Sequence, residues 1–256
     1  MQAAEVAADR LPDLTLVMPA FNERATILQA IEQVLAVELP VDSVELLVVD
    51  DGSTDGTREL LASRRWPSRV RVLLHERNEG KGGAVRTGLA AARGRFAVVV
   101  DADLELDASD LALLLPPLLE GDADCVLGAR RFPMDSARKL RYRLGNKGVT
   151  TAANILYGGS LADIMTGYKA MRTELFRSLP LRERGFGIEP EIVAHLLRGG
   201  AEIREVSVGY APRARKEGKK LTMWDGVRVL RTLLRCRVDP RGAARPAPTV
   251  ALELVR

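Results

Sequence analysis

The sequence predicts an α/β protein with a mostly parallel, doubly wound sheet flanked by helices in a single domain. Short runs of β-branched and other apolar residues alternate with segments whose apolar residues recur at helical spacing. Several of these apolar runs end in turns rich in glycine or aspartate, which is typical of repeated βα units. The length of 256 residues is enough for one large domain of this class.

The first half of the chain supplies four strands and three helices. The predicted strands are residues 14–18, 44–49, 70–74 and 96–100. The first predicted helix begins after Asn22 and Glu23, and the second is capped by Thr54 or Asp55. The third covers residues 84–92. Because successive strands are separated by helices, they are expected to lie parallel.

The pattern is looser beyond Leu111. A helix, a short strand at residues 125–127 and a basic helical stretch that ends near Tyr157 are predicted there. We expect a flexible N-terminus at residues 1–13, a folded domain at 14–237 with a basic C-terminal extension of helix and loop, and a disordered tail at 238–256, which contains three prolines.

The composition excludes several classes of function. Hydrophobic residues make up 46% and charged residues 28%, as in globular proteins, and no apolar run reaches the roughly 20 residues that span a bilayer. The start of the chain lacks the pattern of a secretory signal, so a cytoplasmic protein is expected. Two isolated cysteines and two isolated histidines provide neither a zinc site nor a histidine-based triad.

Positive charge is concentrated in two stretches, residues 130–147 and 213–220. Basic surfaces suit phosphates, anionic lipids or nucleic acids, although a solvated helix face has the same composition. Nucleic acid is disfavoured because aromatic residues are only 4% of the chain and do not alternate with arginine.

Asp101 and Asp103 are the strongest candidates for a functional site. They follow the strand at 96–100, at the edge where open α/β sheets bind ligands. Carboxylates two residues apart can share one hard divalent cation, and Mg²⁺ commonly joins one or two carboxylates to substrate phosphates. Capping of the next helix is the alternative role for such a pair.

Two more turns are expected at the same edge. Asp50 and Asp51 end the second strand, and a glycine-rich turn surrounds Lys81, whose ammonium group can meet a phosphate. Together the three turns are typical of a nucleotide-sugar site. Neither a G-x-G-x-x-G fingerprint nor a P-loop is present, which disfavours hydride transfer and ATP hydrolysis.

The order of motifs resembles that of inverting family-2 glycosyltransferases of GT-A fold, above all the dolichyl- and polyprenyl-phosphate mannose and glucose synthases. The resemblance covers about residues 14–235. The motifs that carry it are residues 18–23, 49–57, 78–82, 101–104, 128–130, 163–172 and 187–191.

The resemblance implies roles for individual residues. It implies a base and ribose pocket formed by Pro19, Ala20, Asn22 and Glu23, with Asp50 contacting the base side, Asp51 supporting it and Lys81 near the nucleotide. It implies donor contacts from Asp101, Ala102 and Asp103, and a Mg²⁺ or Mn²⁺ ion held by Asp101, Asp103 and Glu105, the last where related synthases often have Gln.

Basic residues complete the implied site. Arg130 resembles an arginine that contacts the donor phosphate or sugar, and Arg213 and Arg215 resemble residues of a loop that closes over the diphosphate. The acceptor phosphate would be held by Lys147 with Thr150 or Thr151.

The nature of the acceptor decides whether a base is needed. The expected reaction moves a hexose from GDP-mannose or UDP-glucose to polyprenyl or dolichyl phosphate, by an enzyme held peripherally at the cytoplasmic membrane face by residues 130–147 and an amphipathic stretch at 149–161. A hydroxyl acceptor, on a small molecule or glycan, would need Glu189 or Glu191 as general base, although both also suit the start of a helix. A binding module without turnover is the third possibility.

Overall fold

The computed structural model describes residues 11–132, 137–213 and 223–240, and within them seven strands form one sheet. The strands are β1 (Leu14–Ala20), β2 (Val44–Asp50), β3 (Val70–Leu74), β4 (Phe96–Val99), β5 (Cys125–Arg131), β6 (Lys169–Arg172) and β7 (Ile203–Gly209). They are ordered β3-β2-β1-β4-β6-β5-β7. β6 is antiparallel to both of its neighbours and the other pairs are parallel, which confirms the predicted fold class.

Helices cover both faces of this sheet. They are α1 (Ile27–Ala36), α2 (Thr57–Ala62), α3 (Lys81–Ala91), α4 (Leu111–Leu114), α5 (Pro116–Leu119), α6 (Ala137–Tyr157), α7 (Thr173–Ser178), α8 (Ile188–Gly199) and α9 (Met223–Val238), with a 3₁₀ turn at Ala108–Asp110. Every helix within the described ranges is too short or too polar to cross a lipid bilayer. Most of the segments predicted to be a flexible N-terminus and a disordered tail lie outside those ranges.

The first helix begins later than the sequence predicts. Asn22 has a φ of 54°, and its amide and side chain bind the turn after β2: its N–H donates to Ser53 Oγ, and its Oδ1 accepts from the Thr54 N–H. These contacts hold the chain in a turn, and the helix starts only at Ile27.

Two apolar cores lie on opposite faces of the sheet because side chains alternate along each strand. Leu16 and Val98 belong to the core that α1 packs on, and Val17 and Val99 belong to the core beneath α3, α8 and α9. Since both faces are covered, the carboxyl edge of the sheet is left for a functional site.

The antiparallel strand β6 brings a buried charge to this edge. Lys169, the first residue of β6, pairs with Val99, the last residue of β4, and its side chain is fully buried. Asp101 follows two residues beyond Val99, so β6 begins next to the strand end that carries the acidic pair.

Gly88 sets the distance between α3 and the sheet. A Cβ atom at this position would overlap Val17 Cγ1 and would lie 3.3 Å from Val49 Cγ2. A glycine therefore allows the helix to pack directly on β1 and β2.

We expect Gly88→Ala to lower the free energy of unfolding by about 1–3 kcal/mol, because overpacking outweighs the gain in helix propensity. Gly145→Ala is the matched control, since a Cβ atom at this helical position meets nothing within 4 Å. The control should gain up to about 1 kcal/mol in urea denaturation. Equal effects of the two substitutions would contradict the close-packing argument.

Candidate active site

A pocket opens where the turns after β1, β2 and β4 meet. These three strands are direct neighbours and end at Ala20, Asp50 and Val99, so the segments that follow them converge. The pocket is lined by Pro19, Ala20, Phe21, Glu23, Asp51, Asn78, Gly80, Lys81, Ala84, Asp101, Ala102, Asp103, Glu105, Gly185, Phe186 and Arg213. Asp51, Lys81 and the pair Asp101 and Asp103 all line it, so the three turns predicted to meet at this edge are brought together.

Asp51, rather than Asp50, faces the pocket. Asp51 accepts N–H bonds from Glu79 and Gly80 at 2.9 and 2.8 Å, and its carboxylate lies 2.7 Å from Nδ1 of His75. Asp50 is fully buried and pairs with Arg58 behind the turn. Asp51 thus lines the pocket and holds the turn before Lys81, whereas Asp50 lies behind that turn.

A chain of alternating charges forms the floor of the site. Lys81 Nζ lies 2.6 Å from Asp101 Oδ1 and 2.6 Å from Glu189 Oε1, and Glu189 also binds the buried ammonium of Lys169. Burial alone would lower the pKa of Lys81, but the attraction of Asp101 and Glu189 outweighs it and raises that pKa. Lys81 is therefore a fixed positive charge beside the acidic pair.

Arg213 joins the two sides of the pocket. Its guanidinium donates to both carboxylate oxygens of Glu23, at 2.8 and 3.1 Å, and lies 3.4 Å from Asp103. Glu23 follows β1 and Asp103 follows β4, so a single cation neutralises acids from two turns.

The acids that follow β4 lie in a crowded, buried environment that suits a divalent cation. Burial, together with the negative charges of Asp101 and Glu105, raises the pKa of Asp103 to about 7. Such crowding is relieved by a hard cation with oxygen ligands, which fits the Mg²⁺ or Mn²⁺ that the sequence implied. Asp101, Asp103 and Glu105 are the residues that would hold it.

Glu105 also fastens the segment that follows β7. Its Oε2 accepts from the Tyr210 hydroxyl at 2.9 Å, its Oε1 accepts from the Arg213 N–H at 2.9 Å, and its carbonyl accepts from the Ala211 N–H. The predicted metal ligand thus determines where Arg213 lies.

Arg130 supports the site from outside the lining of the described pocket. Its guanidinium makes two bonds to Asp163, at 2.6 and 2.9 Å, and lies 5.1 Å from the ring centroids of Phe132 and Tyr210. Burial would raise the pKa of Asp163, but Arg130 more than offsets this and lowers it. The structure therefore connects Arg130 to the carboxylates through Tyr210 and Glu105.

The two glutamates at the start of α8 have different surroundings. Glu189 reaches the pocket through Lys81, whereas Glu191 accepts N–H bonds from Arg182 and Glu183 and pairs with Arg235 at 2.7 Å. Burial raises the pKa of Glu191. Its carboxylate is engaged between α8 and α9, away from the pocket lining.

The predicted acceptor residues do not form one cluster. Lys147 and Thr151 are exposed on α6, and Thr150 is buried, with its hydroxyl accepting from the Ile164 N–H. Arg215 and the rest of the basic stretch after Arg213 lie outside the described residues.

Two residues of this region were not identified from the sequence. Phe186 lines the pocket, with Lys81 Nζ 6.0 Å from its ring centroid. Lys169 is the buried partner of Glu189. A lysine at the start of the apolar segment 169–171 was the available signal for Lys169, and Phe186 had none because its loop carries no motif.

We expect Asp103→Asn to stabilise the metal-free protein at about pH 8 and to abolish stabilisation by Mn²⁺. A carboxyl whose pKa rises on folding binds protons preferentially in the folded state, so its contribution to stability falls as the pH rises from its ordinary value, 3.8, to about 7. Melting temperatures at about pH 5 and about pH 8, with and without Mn²⁺, measure this. Asp122→Asn, an exposed control, should leave both behaviours unchanged. Retention of the Mn²⁺ shift by Asp103→Asn would contradict the ligand assignment.

Known proteins are similar to this chain in structure or in sequence. Glucosyl-3-phosphoglycerate synthase from Mycobacterium tuberculosis, solved with Mn²⁺, uridine diphosphate and phosphoglyceric acid, superposes with a TM-score of 0.67 and is 27% identical, covering 93% of this chain and 81% of that one. The undecaprenyl-phosphate mannosyltransferase of Micrococcus luteus is 32% identical over 70% of this chain and 76% of its own length. The glycosyltransferase AglJ of Haloferax volcanii is 32% identical over 79% of this chain.

The chain spans only 64% of the length of AglJ. The model of the family described as glycosyl transferase family 2 matches residues 15–179, which contain β1 from its second residue, β2 to β6 and nearly all of the turns that line the pocket. On the sheet order, the position of the acidic pair and this match, the chain belongs to glycosyl transferase family 2.

Proposed function

We propose that this chain transfers a hexose, with inversion, from a nucleotide sugar such as GDP-mannose or UDP-glucose to polyprenyl or dolichyl phosphate at the cytoplasmic face of a membrane. The observation that carries the proposal is the pocket in which Asp101, Asp103 and Glu105 face Lys81 and Arg213. Carboxylates for a Mg²⁺ or Mn²⁺ ion beside two fixed cations match the needs of a diphosphate leaving group.

The relatives support a lipid-phosphate acceptor. The Micrococcus luteus protein is named an undecaprenyl-phosphate mannosyltransferase, and its sequence aligns with 70% of this chain. The solved synthase contains uridine diphosphate with Mn²⁺, which supports a nucleotide-sugar donor and a divalent cation for this site.

The residues of the pocket have separate tasks in the proposed reaction. Pro19, Ala20 and Asp51, which line the pocket, would form the wall against which the base and ribose bind. The bound cation would neutralise negative charge on the diphosphate, and Lys81 and Arg213 would add positive charge to the same group. Arg130 would position Glu105 and Arg213 through Tyr210.

The acceptor would attack the anomeric carbon from the side opposite the departing diphosphate. A phosphate monoester has a second pKa of about 6 and is mostly ionised at neutral pH, so it attacks without a general base. Displacement at an α-linked donor then gives a β-linked product.

A hydroxyl acceptor is the second candidate, and the likeness to glucosyl-3-phosphoglycerate synthase favours it. A hydroxyl needs a general base, and Glu189 is the glutamate of α8 that reaches the pocket. This alternative requires Glu189 to act as a general base, whereas a phosphate acceptor does not.

The first test is transfer of radiolabelled sugar from GDP-mannose and from UDP-glucose to a short polyprenyl phosphate, with Mg²⁺, Mn²⁺ or EDTA. We expect label in the organic phase that depends on the metal and on one of the two donors. Hydrolysis of the donor without a lipid product would contradict the phosphate acceptor and favour a hydroxyl.

Glu189→Gln distinguishes the two acceptors by pH dependence. With a phosphate acceptor the variant should lower kcat by a similar factor at every pH, because only the contacts with Lys81 and Lys169 change. With a hydroxyl acceptor the acidic limb of the pH–rate profile should disappear, with a loss of about 10²–10⁴-fold. Glu191→Gln is the control, and its effect should be on stability, since its carboxylate is bound to Arg235.

A further inference from the structure

Helix α9 presents an apolar stripe to solvent. Val227, Leu230, Leu234 and Val238 are 58%, 40%, 56% and 77% exposed, and their spacing of three and four residues places them on one side of the helix. The opposite side of α9 is already packed, because Val229, Leu233 and Cys236 belong to the core beneath the sheet. The outer stripe is therefore a second apolar surface.

Positive charge flanks this stripe. Arg228, Arg231 and Arg237 are exposed on α9, and Asp225, the one acidic residue of this helix, lies in its first turn, before the stripe begins. The neighbouring helix α6 has no acidic residue along its 21 positions. The Tyr157 hydroxyl of α6 donates to the Leu233 carbonyl of α9 at 2.6 Å, so the two helices lie together.

The stretch at 149–161, which the sequence suggested as the amphipathic membrane contact, has most of its apolar side chains turned inward. Val149, Leu156, Tyr157 and Leu161 pack against the core, and Ile155 is the exposed aliphatic residue of this stretch. Among the described helices, α9 offers the larger exposed apolar stripe.

We propose that α9 docks on an anionic lipid surface, with its apolar stripe among the headgroups and its arginines on lipid phosphates. An amphipathic helix with arginines beside aliphatic residues binds such surfaces through apolar burial and charge attraction together. A second copy of the chain fits less well, since two such faces would bring like charges together.

Docking through α9 places the pocket near the lipid. On the inner side of α9, the Thr232 hydroxyl donates to Glu183 Oε1 at 2.9 Å, and Arg235 lies 2.9 Å from the same oxygen. Glu183 precedes Gly185 and Phe186, which line the pocket. One helix diameter, about 10 Å, then separates Glu183 from the headgroups, and the pocket wall begins two residues after Glu183. This last step rests on the proposed function, because a lipid-phosphate acceptor would have to reach that wall.

The test is flotation of the full chain with vesicles of phosphatidylcholine alone and with added phosphatidylglycerol. We expect binding to the anionic vesicles that weakens in high salt. Leu234→Ser with Val238→Ser should lower the partition coefficient about tenfold by removing apolar burial, and Arg231→Gln with Arg237→Gln should lower it by a similar factor by removing charge.

Matched controls distinguish vesicle binding through α9 from nonspecific binding by other parts of the surface. Leu113→Ser changes an exposed leucine on the other side of the sheet, and Arg64→Gln with Arg65→Gln makes the same charge change after α2. Both controls should bind as the wild type does. Equal binding by the α9 variants would overturn the proposal, as would a wild-type dimer in sedimentation that Leu234→Ser with Val238→Ser dissociates.

The result of the flotation test does not depend on the proposed reaction. Transfer to a short, water-soluble polyprenyl phosphate without vesicle binding would overturn docking and leave the reaction standing. Vesicle binding through α9 without transfer to any lipid phosphate would support docking and contradict the acceptor.

Discussion

The ion pairs that link Asp101, Lys81, Glu189 and Lys169 hold the site together. The four residues come from the turn after β4, the start of α3, the start of α8 and the start of β6, so one electrostatic chain ties four elements. Buried charges are tolerated only when each is paired. Removing one of the four charges would leave a buried charge without its partner. The four residues in the floor of the pocket therefore depend on one another.

The acids of the pocket that lie outside these ion pairs are less completely neutralised. Glu23, Asp103 and Glu105 converge on Arg213, whose backbone N–H and guanidinium serve all three. Burial and the negative charges of Asp101 and Glu105 together raise the pKa of Asp103. In the proposed reaction, a divalent cation and a diphosphate would bring nearly balanced charges into this region, and the cation would neutralise the crowded acids.

The sequence predicted the sheet and the location of the site because the strands are nearly continuous apolar runs with acids or glycines at their ends. It could not assign which aspartate of the pair after β2 faces the pocket, because that depends on contacts with Arg58 of α2 and with His75 after β3. Arg130 illustrates the same limit. Its motif indicated a donor contact, whereas its position is set by Asp163 and two aromatic rings that no local pattern reveals.

The place of β6 in the sheet has a consequence for synthesis of the chain. β1 to β4 are complete at Val99, but the free edge of β4 is covered only when Lys169–Arg172 has been made, about 70 residues later. At roughly 5–20 residues per second, an apolar strand edge stays open for several seconds on the ribosome. Asp101 is likewise translated before Lys169 and Glu189, so the ion pairs in the floor of the site can be completed only after α8 has begun.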